Sequence, residues 1–135
     1  MKYHQLCKGD NKMNKDYENG LNILKQMTDT KGEQMVKAVG EIFPDFLEKM
    51  ISFGFGQIYA RPNLDLKTRE VVTITALITQ GAFEQLDFHI KAGLKAGLKS
   101  EEILEIILQC AAYAGFPKAC SALGIAGEIF KNSKI

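Results

Sequence analysis

Tryptophan is absent from the sequence, and proline, cysteine and histidine are scarce, at three, three and two copies. So few prolines leave no polyproline linker in 135 residues. Cys7, Cys110 and Cys120 are odd in number and far apart, which excludes a local Cys-x-x-Cys pair and argues against a disulfide framework. Nothing apolar follows Met1 to Lys8, so no secretory signal is read there. Reduced thiols in a cytoplasmic protein are the expectation. His4 and His89 make no metal-ligand cluster, and neither a metal nor an organic cofactor is expected. Charge of one sign is also lacking. Lys and Arg total 17 against 16 Asp and Glu, which gives no basic face for general nucleic-acid binding. No apolar run approaches the roughly 18 residues of a membrane span.

Helical periodicity is what remains. Residues 1–14 carry no clear period and read as a loose arm. From Asn14 to Met27, Tyr17, Leu21, Leu24 and Met27 fall on one helical face, which Gly20 weakens by about 1 kcal/mol. A short helix follows from Lys31 to Phe43. Pro44 then opens a third, to Tyr59, because its missing N–H is an orphan donor in any first turn. Asp65 is a suitable N-cap for a helix from Leu66 to Gln80, and Gly81 stops it. Apolar residues surround most of that cylinder, so it is expected to be central and buried. Further helices are expected from Phe83 to Ala96, with Gly97 as the stop, from Ser100 as cap through Ala111, and from Lys118 to Phe130. No strand alternation is present. One all-α domain of six to seven helices follows.

The stretches Arg61-Pro62-x-Leu64-Asp65-Leu66-Lys67-Thr68-Arg69-Glu70, Gln80-Gly81-Ala82 and His89-Ile90-x-Ala92-Gly93-Leu94 carry a resemblance. Gly97-Leu98-x-Ser100-x-Glu102-Ile103-x-Glu105 and Ala112-Tyr113-Ala114-Gly115-x-Pro117 extend it. Residues 61–126 thereby resemble the carboxymuconolactone decarboxylase family, within the AhpD-like superfamily. The resemblance implies an all-helical fold assembled into a homo-oligomer, a hexamer or trimer. It also implies a small organic acid or lactone as partner. One branch of that family uses a Cys-x-x-Cys pair ending four residues before the histidine. Here Ala82 and Gln85 stand at those positions, so the chain resembles the branch that keeps the histidine and lacks the redox pair. In the redox branch a glutamate nineteen residues before the histidine belongs to the site, which places Glu70 beside His89 by resemblance.

A carboxylate beside an imidazole fixes its tautomer, giving a proton-transfer pair suited to neutral pH. Gln85 lies four residues before His89, on the same face, and Glu84 is a second carboxylate close by. Arg61 and Arg69 could hold a substrate carboxylate bidentately. The expected catalytic set is His89, Glu70 and Gln85; the expected substrate-binding set is Arg61, Arg69 and Glu84. Tyr113, Cys110 and Cys120 read as packing residues. The expected activity is that of a cofactor-free carboxy-lyase acting on 4-carboxymuconolactone or a related acid. The alternatives are a peroxidase-like antioxidant protein, which needs a reactive thiol, and a non-catalytic oligomer that binds a small molecule.

Overall fold

Tyr17, Gly20, Leu24 and Met27 recur at steps of three and four and form the buried face of the first helix, α1 (Asn11–Met27). The protein is seen here as a computed structural model describing residues 11–133, with side chains from residue 15. Of the loose arm read for residues 1–14, residues 1–10, with His4 and Cys7, lie outside the described residues, whereas 11–14 are helical, so α1 starts at Asn11 rather than Asn14. The chain divides into two compact units between Asn63 and Leu64.

The first unit continues with α2 (Thr30–Ile42) and α3 (Pro44–Lys49). Asp29 caps α2, its carboxylate accepting the Gly32 N–H at 3.0 Å. Pro44 opens α3 as expected, and Phe43 before it is extended, as a residue preceding proline prefers. The single α-helix expected over 44–59 is corrected: Met50–Tyr59 is a π-helix, and the Ala60 N–H still reaches back five residues to the Phe55 carbonyl at 3.0 Å. Gly54 and Gly56 ease this departure from α geometry. The widened turn buries Ile51, Ser52, Phe55 and Gly56. Packing on α1 is backbone to backbone. A Cβ on Gly20 would strike the Ile51 carbonyl oxygen, and one on Gly56 would strike the Asp16 carbonyl oxygen. The glycine that weakens the sequence signal for α1 is therefore the residue that lets α1 dock.

That contact predicts opposite signs for two similar changes. Gly20→Ala should destabilise by about 1–3 kcal/mol, since the opposing atom is main chain and cannot rotate away. Gly124→Ala, whose added methyl meets nothing within 4 Å, should stabilise by about 0.4–1 kcal/mol through the unfolded state. Urea midpoints measure both. A destabilised Gly124→Ala would mean that a second copy covers that face.

The second unit holds α4 (Leu66–Gln80), α5 (Phe83–Lys95), α6 (Ser100–Ala114) and α7 (Phe116–Ser133). Asp65 caps α4: its Oδ1 accepts the Thr68 N–H at 2.7 Å, and the hydrogen bonding from Thr68 holds its carboxyl below the usual value. Gly81 (φ 75°) and Gly97 (φ 111°) end α4 and α5 in backbone that other residues avoid. The Ala82 N–H to Leu77 and Leu98 N–H to Gly93 bonds close the two ends. Ser100 is not the cap of α6. Extended Lys99 stands there, and its N–H donates to the Glu102 carboxylate at 3.0 Å. α7 begins at Phe116, two residues before the expected start, with Pro117 in its first turn.

The core of this unit joins Ile74 and Ile78 of α4, Leu86 and Ile90 of α5, Ile103 and Ile107 of α6, and an alanine stripe on α7. α4 packs against all three other helices, as a central helix should. Full burial does not follow. Glu70, Ile74 and Ile78 are buried, while Val72, Thr75, Ala76 and Thr79 face outward, with Val72 57% exposed. The two threonines donate to carbonyls four residues back, which satisfies their hydroxyl protons within the helix. Tyr113, read as a packing residue, is 87% exposed, and Cys120 is exposed too; Cys110 is buried as expected. Every element among the described residues is helical, so the chain is all-α.

Candidate active site

A glutamate interrupts the apolar stripe of α4. Glu70 sits one turn before Ile74 and two before Ile78, so helical geometry turns its carboxylate into the core rather than out to water. It is wholly buried. α5 brings the group that answers it. With Leu86, Ile90 and Gly93 buried, His89 stands at the edge of the α5 core face, its side chain 14% exposed. Its Nδ1 lies 3.0 Å from Glu70 Oε2.

This contact sets the tautomer. A carboxylate offers only acceptors, so Nδ1 carries the hydrogen and donates it. Nε2 is left as the nitrogen that can give or take a proton, with no hydrogen-bond partner among the described residues. The Phe88 ring meets the imidazole edge-on, centroids 5.0 Å apart, further limiting its rotation. The second carboxylate oxygen, Glu70 Oε1, is buried with no hydrogen-bond partner among the described residues. Such an orphaned acceptor is worth about 1–3 kcal/mol of instability. The fold therefore keeps a strained electrostatic arrangement where an apolar side chain would pack quietly.

The other expected site residues are placed less closely. Gln85 and Glu84 lie one turn or slightly more before His89, in the first turn of α5, and both are exposed. Arg69 Nε donates to the Leu64 carbonyl at 2.9 Å, which holds its side chain at the head of α4. Arg61 belongs to the first unit. There it lines a polar groove of about 330 Å³ with Asp16, Asn19 and Gln57, whose amide donates to Asp16 at 2.7 Å. The structure thus brings Glu70 and His89 together.

Sequence reasoning missed a groove of about 350 Å³ in the second unit, lined by Val71, Leu98, Ile106, Glu101, Glu102 and Glu105. Its wall is mainly apolar, and at its rim Lys67 stands 3.8 Å from Glu102. Glu102 and Glu105 enter the sequence reading only as part of the family resemblance, with no groove attached to them. Burial pushes the Cys110 thiol up, partly offset by its hydrogen bond with Thr75, which works against a reactive thiolate there. Among the described residues no three His, Cys, Asp or Glu side chains are grouped to hold a metal ion, and no helix is long and apolar enough to cross a membrane.

Residues 44–128 match the sequence pattern of the carboxymuconolactone decarboxylase family. The chain is 35% identical over 120 residues to a 4-carboxymuconolactone decarboxylase of Acinetobacter baylyi, covering 86% of this chain and 87% of that protein. It is 34% identical over 97 residues to an uncharacterized 15.0 kDa protein of Paracoccus denitrificans, covering 70% and 72%. It is 32% identical over 76 residues to a nitrosuccinic acid decarboxylase of Metarhizium robertsii, covering 56% and 53%.

Proposed function

Because the chain belongs to the carboxymuconolactone decarboxylase family, we propose that it is a cofactor-free carboxy-lyase for 4-carboxymuconolactone or a related small organic acid. The observation that carries this reading is the His89 imidazole held 3.0 Å from a fully buried Glu70. Two relatives named as decarboxylases of small organic acids support the reaction class.

The chemistry asks little of a protein beyond placement and one proton. The bond between the ring carbon and the carboxylate breaks, CO2 leaves, and the electron pair spreads into the conjugated lactone as an enolate. A hydrogen-bond donor at the lactone carbonyl stabilises that charge; Gln85, one turn from His89, is our candidate. A proton then passes from His89 Nε2 to carbon, and the Nδ1–H to Glu70 bond holds the ring in place as its charge changes. Solvent returns the proton. The Arg69 guanidinium holds a substrate carboxylate, and Glu84 contributes a polar contact at the rim. We place the protein in the cytoplasm as a homo-oligomer, a hexamer or trimer. The exposed apolar side chains Val72, Leu104, Leu108, Phe116 and Leu123 are our candidates for the surfaces such an assembly would cover.

The test is turnover of 4-carboxymuconolactone by the native chain, followed as loss of substrate and release of CO2. Steady turnover is the expected result. Its absence would sink that substrate and move the search to other small carboxylic acids.

A further inference from the structure

We infer that the outward stripe of α7 is a contact with a second copy of this chain, the two α7 helices running antiparallel across a twofold axis. The inference rests on the homo-oligomer proposed above and adds which face and which symmetry hold it. Phe116, Cys120, Leu123 and Gly127 are spaced four, three and four apart, so they share one face of α7. All four are exposed, Phe116 by 68% and Leu123 by 48%. Single exposed apolar side chains are ordinary and decide nothing. Their order decides. Along the helix the stripe reads large, small, large, small, and its spacing is the same from either end.

An antiparallel copy meets the stripe in reverse, so each large residue faces a small one. Phe116 stands opposite the partner's Gly127, and Leu123 opposite the partner's Cys120. The twofold repeats both pairings, which is the self-complementarity such a contact requires. A parallel copy would set phenylalanine on phenylalanine at one end and glycine on glycine at the other. Large against small is what lets two facing helices interdigitate at ordinary packing density. Gly127 is interior to α7, where glycine costs about 1 kcal/mol relative to alanine. A Cβ there would meet nothing within 4 Å, so no contact within the described residues calls for glycine. The Phe116 ring of a second copy does. The rest of α7 is already occupied. Ala119, Ala122, Ala126 and Ile129 lie in the core, and Lys118 Nζ donates to the Thr79 carbonyl at 2.7 Å.

The test measures particle mass by light scattering over a dilution series. It compares the native chain with Gly127→Leu, Phe116→Ala/Gly127→Leu and, as a control, Gly124→Ala. The native particle should hold an even number of chains, as a dimer or hexamer does and a trimer does not. Gly127→Leu sets a second side chain against the Phe116 ring and should weaken self-association by about tenfold or more. Its helical circular dichroism should stay native, because the chain itself leaves that space open. The double variant interchanges large and small at the same pairing, and native mass should return. Gly124→Ala should keep native mass, since Gly124 lies off the line of the stripe. Gly127→Leu with native mass and dilution behaviour overturns the inference, and so does a double variant no better than Gly127→Leu. A native trimer overturns it while sparing the homo-oligomer; a native monomer overturns both. None of these outcomes touches the carboxy-lyase reading, which turnover tests on its own.

Discussion

His89→Asn should lower turnover by about 10²–10⁴-fold, the usual contribution of a positioned acid or base, while leaving the melting temperature near native. The asparagine amide places a donor close to where Nδ1 sits, so the bond to Glu70 survives and the fold is spared. What disappears is Nε2, the nitrogen assigned to the substrate. His89→Ala separates the two roles from the other side. It removes Nε2 as well, and it leaves a fully buried Glu70 with neither oxygen partnered. Breaking one member of a buried pair in this way typically destabilises by about 3–5 kcal/mol. Equal losses of activity with unequal losses of stability are therefore expected, measured by single-turnover kinetics and urea unfolding. An Asn variant that keeps native turnover would remove His89 as the proton donor and leave the pair as packing.

The helix boundaries were legible where the signal is local. Pro44, Asp65, Gly81 and Gly97 each act through their own backbone or a bond to a residue three away, and each stands where the sequence puts it. Ser100 was misread because Glu102 serves the neighbouring Lys99 N–H, so the same end is satisfied from the opposite side of the turn. The π-helix over Met50–Tyr59 was not legible, since the close approach of Gly56 and Ile51 to α1 that goes with it is a contact distant in sequence. The outward faces of Val72 and Tyr113 were missed for a related reason. Apolar periodicity says that a surface is to be covered, not which partner covers it. Of the site, His89 and Glu70 were reached through family resemblance and not through spacing, because nothing in a separation of nineteen residues across two helices fixes a contact. Arg61, Arg69, Glu84 and Gln85 mark donors and charges whose geometry toward a substrate no periodicity supplies.

The double variant Glu70→Met/His89→Leu should be inactive and yet more stable than the native chain, by about 1–4 kcal/mol, as found when buried ionic pairs give way to apolar residues of similar size. The gain has an identifiable source. Glu70 Oε1 has no partner among the described residues, its carboxylate is fully buried, and the surrounding stripe of Ile74 and Ile78 already provides apolar neighbours for a thioether. Glu70→Gln tests whether shape or charge matters. The amide keeps an oxygen for the Nδ1–H but buries an NH2 group in place of the orphaned acceptor, so no stabilisation is expected, while turnover should still fall because the charge that balances an imidazolium is gone. Guanidinium unfolding of the three proteins, with turnover measured on each, gives the comparison. A double variant less stable than the native chain would mean that the pair holds α4 and α5 together. A more stable one would show a fold that retains a destabilising carboxylate at one place, and proton transfer at His89 is the reason the chemistry offers for keeping it.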